Sequence, residues 1–143
     1  MDGERYTFSS LLNKLIEVQS KIIYFYGTTN ILDVNVRNIF SLYSKEYNDI
    51  VDKLEKVKRE KVTEFTLEPI YGLNLVESIK KIDVITNSKS INYNYKAKMI
   101  EEEMLSLFND VMQKTAHMSA ELNQVISLAS ELSKKRISIL NAC

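Results

Sequence analysis

The sequence predicts an all-α protein, an antiparallel four-helix bundle with a short extra helix in the long connection between its second and third helices. Three observations predict it. The 143 residues include only three Gly, one Pro and no Trp, too few turn-formers for the tight turns of an all-β fold. Apolar residues recur at steps of three and four through four long segments, and no stretch alternates well enough to be a strand. Helix start and stop signals fall between those segments.

The elements follow in order. Helix one is expected from Thr7, a fair N-cap, to Tyr26, with Gly27 as its C-terminal cap. Asp33 can cap helix two, which carries Ile39, Phe40, Tyr43, Tyr47, Ile50, Val51 and Leu54 at helical spacing. Beyond Leu54 the segment EKVKREKVTEF reads as a solvated helical end that stops at Pro69. In NLVE, Asn74 and Glu77 form a variant capping box for a short helix ending near Ile85, and TNSKS is the next loop. Helix three is expected from Ile91 to Thr115. Ser119 can cap helix four, which continues to the C-terminus.

Composition narrows the function classes. A chain of this length is expected to be one domain, residues 1–143, with a core of its own. Nineteen basic residues balance nineteen acidic ones, which argues against a generic nucleic-acid or anionic-membrane binder. No apolar run approaches the roughly 18 residues of a membrane span, and MDGERYTF is not a signal peptide, so the expected compartment is the cytoplasm. The lone cysteine, Cys143, cannot make an internal disulfide, does not fit a prenylation motif, and reads as a free thiol.

The two halves of the chain carry similar patterns. Leu15, Val18, Gln19, Ile22, Phe25 and Tyr26 correspond, 82 residues on, to Ala97, Ile100, Glu101, Met104, Leu107 and Phe108. Ile39, Phe40, Leu42, Val51 and Leu54 of helix two correspond, 86 residues on, to Val125, Ile126, Leu128, Ile137 and Leu140 of helix four. This is the pattern of two helix hairpins related by a pseudo-twofold axis. The polar intruders correspond as well. Gln19 is the single polar member of the stripe Phe8, Leu12, Leu15, Gln19, Ile22, Tyr26, and Glu101 stands at the same level of the stripe Ala97, Glu101, Met104, Phe108, Val111. Helix two offers Tyr47 and Ile50 at that level, and helix four offers Ser133 and Arg136.

The phrases LIEVQSKIIYFY and MIEEEMLSLF, each followed by a second long helix, resemble the ferritin-like superfamily, its rubrerythrin-like branch above all. The resemblance covers nearly the whole chain and rests on pattern rather than on an invariant motif. It implies a di-iron or di-manganese centre, with one Glu from each of helices one and three and a Glu-x-x-His from each of helices two and four. Carried onto this chain, those positions are Gln19, Glu101, Tyr47 with Ile50, and Ser133 with Arg136. Only Glu101 keeps a ligating residue. A guanidinium cannot coordinate a metal and repels cations. Glu101 and Arg136 are therefore expected to pair in a polar core network with Gln19, Tyr47 and Ser133. On this reading the chain is a non-enzymatic helical scaffold or protein-interaction module with a degenerate metal site, no cofactor and an unidentified protein partner. The alternative is a working non-haem di-iron or di-manganese oxidoreductase, or a metal-binding protein with unusual ligands. A small-ligand binder that uses the polar cavity is a third possibility.

Other constellations have plainer explanations. Glu46, Asp49 and Asp52, and the run Glu101 to Glu103, could ligate a metal in another register, but they read as a solvated face beside Lys45, Lys53 and Lys98. His117, the only histidine, is expected to cap carbonyls at the turn between helices three and four. The tyrosines, including Tyr24, Tyr93 and Tyr95, read mostly as core and interface side chains rather than a redox relay. Met99, Met104, Met112 and Met118 read as adaptable core filler. No Ser or Cys stands in a nucleophile elbow, and the three glycines are too far apart for a phosphate loop. Leu11, Val18 and Phe25 form a second apolar row at heptad spacing on helix one, which predicts a homodimer contact.

Overall fold

The computed structural model describes residues 4–61, 68–89 and 92–142. In chain order its elements are β1 (Glu4–Tyr6), α1 (Phe8–Thr28), α2 (Val34–Lys61), β2 (Ile70–Leu73), α3 (Leu75–Asn87), α4 (Tyr93–Thr115) and α5 (Ala120–Asn141). The long helices one to four of the sequence are α1, α2, α4 and α5, and α3 is the short one. The protein is mostly helical, as expected. The strands were not expected: β1 and β2 pair antiparallel, with Glu4 opposite Leu73 and Tyr6 opposite Ile70. The register shifts between those pairs, and Gly72 takes φ of +85° in the longer strand, a conformation that side-chain-bearing residues rarely adopt.

Local chemistry sets the helix ends. Thr7 Oγ1 accepts from Ser10 N at 3.1 Å while Thr7 N donates to Ser10 Oγ at 2.9 Å, a reciprocal capping box that starts α1. The helix does not stop before Gly27 but runs through it to Thr28, where the extended backbone of Thr29 closes it. Asp33 Oδ1 accepts from Asn35 N and Val36 N at 2.9 and 3.2 Å and so caps α2. The remainder of the segment EKVKREKVTEF falls in residues 62–67, which lie outside the described residues, as do Ile91 and Cys143. Asn92 caps α4 by accepting from Tyr95 N, and Ser119 caps α5 by accepting from Leu122 N.

The start of α3 differs from expectation. Asn74 makes no side-chain cap bond. The carboxylate of Glu4, carried there by the small sheet, accepts from Leu75 N at 3.0 Å and from Val76 N at 3.2 Å instead. An anion at a helix N-terminus satisfies free N–H groups and complements the helix dipole. The same carboxylate accepts the Tyr6 hydroxyl.

Packing follows from the apolar faces. α1 lies along α2, α4 lies along α5, α2 also touches α5, and α3 packs against both α1 and α4. Lys61 at the end of α2 pairs with Glu121 at the start of α5 at 3.5 Å, so these two helices run in opposite directions. One apolar core takes side chains from every helix and from both strands. Leu11, Val18 and Phe25 belong to it and are fully or nearly buried. This corrects the expectation of a homodimer row. Those side chains are covered within the chain, Phe25 against the Phe40 ring of α2. Among the described residues no helix is long and apolar enough to cross a membrane.

Candidate functional site

The middle of the core holds a set of polar side chains delivered by four helices. Glu101 of α4 is fully buried, and both of its carboxylate oxygens have hydrogen-bond donors. Its Oε2 accepts the Tyr26 hydroxyl from α1 at 2.7 Å. The Tyr47 hydroxyl from α2 lies 2.8 Å from both carboxylate oxygens. Oε1 accepts Ser133 Oγ and Arg136 Nη1, both from α5 and both at 3.1 Å. Ser133 and Arg136 share a helix face because they are three residues apart.

Arg136 is 2% exposed, and its charge is answered on several sides. Beyond Glu101, its Nε donates to Glu46 Oε1 at 3.2 Å, and its Nη2 lies 3.2 Å from the same oxygen. The guanidinium carbon stands 4.2 Å from the Tyr47 ring centroid and 5.5 Å from that of Tyr43, within cation–π range of both. Burial alone would lower the Arg136 pKa. The interactions with Tyr47, Glu101 and Glu46 outweigh it and raise it further, so the group stays charged. Burial, then the neighbouring Glu101 charge, pushes the Tyr26 and Tyr47 phenols well above the usual tyrosine range. Tyr26 also packs edge-on against Phe40 and Tyr43, which fixes its hydroxyl toward Glu101.

Thus the structure brings Tyr47, Ser133 and Arg136 onto Glu101, and buries Ile50 in the apolar core. Gln19 does not join them. It is fully buried, but its Nε2 donates to the Leu15 carbonyl of its own helix at 2.9 Å, and its Oε1 has no partner. An amide four residues beyond a carbonyl can turn back along the helix, and here it does. Sequence reasoning missed two members of the set. Tyr26 lies on the same stripe as Gln19, two turns on, which was the available signal. Glu46 was read with Asp49 and Asp52 as a solvated face; those two are exposed, but Glu46 is drawn in toward Arg136.

The remaining candidates lie elsewhere. His117 is exposed and faces Glu68 at 3.1 Å rather than capping carbonyls. Tyr24, Tyr93 and Tyr95 are exposed and are not core side chains, while Met104 and Met118 are buried as filler. Glu103 pairs with Ser78 and Lys81, and Glu102 is exposed. Among the described residues no group of three or more His, Cys, Asp or Glu is placed to hold a metal ion.

Chemically, the buried set is suited to holding helices together. Glu101 is enclosed by the donors of Tyr26, Tyr47, Ser133 and Arg136, and neither it nor Arg136 is open to solvent. Compared with known proteins, the chain matches no family model, no curated protein and no solved structure.

Proposed function

We propose that this chain is a non-enzymatic helical scaffold or protein-interaction module, an antiparallel four-helix bundle of ferritin-like type in which a polar network stands where a di-metal centre once stood. The single observation that carries this reading is the Arg136 guanidinium bound to Glu101, with Nη1 3.1 Å from Oε1. A fixed cation there does for Glu101 what a metal ion would do, and it repels a second cation.

The residues at the other family positions do not fit two divalent ions. Tyr47, Ile50 and Ser133 supply no carboxylate, and Gln19 turns its amide toward its own helix. Several carboxylates are needed to offset the charge of two such ions, and these positions do not supply them. The experiment is elemental analysis of protein purified without a His tag. Less than about 0.1 Fe or Mn per chain is expected, and about two per chain overturns the scaffold reading in favour of a metal-dependent oxidoreductase.

A further inference from the structure

Two cations are buried among the described residues, and only one of them has a carboxylate partner. Arg136 is paired with Glu101 and Glu46. Lys96, in the first turn of α4, is 8% exposed, and its ammonium makes one long bond, 3.4 Å to the Thr86 carbonyl in the last turn of α3. A lysine ammonium has three donors, and a buried one is ordinarily paired. Placement at a helix C-terminus is favourable for a cation but leaves donors unused.

Lys96 lines a cleft of about 880 Å³ between the second half of α1, the end of α3 and the start of α4. That volume is in the range of small-molecule sites, about 300–1,000 Å³. Its other charges cancel within the chain: Glu17 pairs with Lys14 at 3.2 Å, and Lys21 pairs with Asp83 at 3.1 Å. The hydroxyls of Ser20, Thr28 and Thr29 are turned to carbonyls of their own helix. Lys96 is thus the charged anchor without a carboxylate partner, beside the amides of Asn30 and Asn87. Tyr24 and Tyr93 stand exposed on the walls, Tyr24 at 72%. An adjoining hollow of about 690 Å³ shares Lys96 and Tyr93, adds Lys89, and has no acidic residue in its lining.

We propose that this cleft binds a small monoanion with a flat apolar body, its acid group on the Lys96 ammonium and its body against Tyr24 and Tyr93. The Lys96 ammonium, which has no carboxylate partner, favours an acid group on the ligand, and the exposed rings favour an aromatic body. This site is separate from the Glu101 network and stands or falls apart from the scaffold reading.

The probe is 8-anilinonaphthalene-1-sulfonate, an aromatic monoanion, followed by fluorescence and calorimetry on the full chain. N-phenyl-1-naphthylamine serves as its uncharged counterpart. One equivalent of the sulfonate is expected to bind saturably. Lys96→Met should weaken it at least about tenfold and leave the neutral probe unchanged, Lys96→Arg should retain it, and Tyr24→Ala should weaken both probes. Absence of saturable sulfonate binding, or equal affinity in Lys96→Met, overturns the proposal. Should Lys96→Met not fold, the wild-type protein decides. Sulfonate bound at least about tenfold tighter than the neutral probe supports the site, and equal affinity overturns it.

Discussion

Gln19 and Glu101 hold corresponding positions on α1 and α4, and both are fully buried, yet the protein treats them in opposite ways. Glu101 collects donors from α1, α2 and α5, so one side chain ties four helices together. Gln19 reaches no other helix. Its amide nitrogen folds back to Leu15, and its carbonyl oxygen is left buried without a donor. The difference lies in what a full charge can attract. A buried carboxylate is so costly alone that the surrounding chain has to supply partners, whereas an amide can be half satisfied within its own helix. The α4 side of the core is therefore specified by polar chemistry, and the α1 side by apolar packing around a tolerated amide.

The largest effect that tests this contrast comes from removing the cation. Arg136→Met should destabilise the protein by about 3–5 kcal/mol, because it leaves Glu101 a buried charge with hydroxyl donors only. Glu101→Leu should cost less, because Arg136 keeps Glu46 and the Tyr47 ring when its buried partner is gone. The double variant should cost far less than the sum of the two, since neither charge is then left unpaired. Urea melts of the four proteins measure this cycle. Unchanged stability in Arg136→Met would mean that the pair holds nothing together.

A smaller effect is expected in alkali. The native Tyr26 and Tyr47 phenols keep their protons above the usual tyrosine value of about 10, so unfolding releases protons in that range. Stability is therefore full below about pH 10 and falls as pH rises from there through the native pKa values. Absorbance titration should show tyrosines in two classes among the eight in the chain. Tyr6, raised by burial and by Glu4, should lag together with Tyr26 and Tyr47, and the three should ionise only as the protein unfolds. A single smooth titration of all eight in the folded protein would break the contrast, because Glu101 would then sit in a wet environment.

Much of this centre was legible from helical spacing. Glu101 had to face inward because Ala97, Met104 and Phe108 do, and Arg136 falls three residues from Ser133 on the facing helix. A stripe tells which side chains point inward but not which of their atoms meet. That is why Gln19 was expected in the network, and why Tyr26, on the same stripe, was passed over as a donor. The heptad row Leu11, Val18 and Phe25 was read as facing a second copy because a periodic pattern cannot say whether the same chain or another one covers it. The strands were illegible for a different reason. Glu4–Tyr6 and Ile70–Leu73 are too short to alternate, and their pairing, like the Glu4 cap on α3, joins residues far apart in sequence. Lys96 is a charged residue in a polar first turn, and nothing in the pattern marks it as buried.

The smallest effect tests the Gln19 half of the contrast and has the opposite sign. Gln19→Met keeps the side-chain length and replaces an acceptor that has no donor with a thioether that needs none. The Leu15 carbonyl loses the amide but keeps its place in the helix ladder. Desolvation of an unpaired buried group costs about 1–3 kcal/mol, and the amide's bond to Leu15 returns part of it, so a gain of about 1 kcal/mol is expected. Thermal or urea melts read it directly. Glu101→Met, made at the corresponding position, should lose more than Gln19→Met gains, because it takes the shared acceptor from Tyr26, Tyr47, Ser133 and Arg136 while the other change strands nothing. If Gln19→Met is destabilised instead, its carbonyl has a donor, and the two halves of the core are alike in chemistry after all.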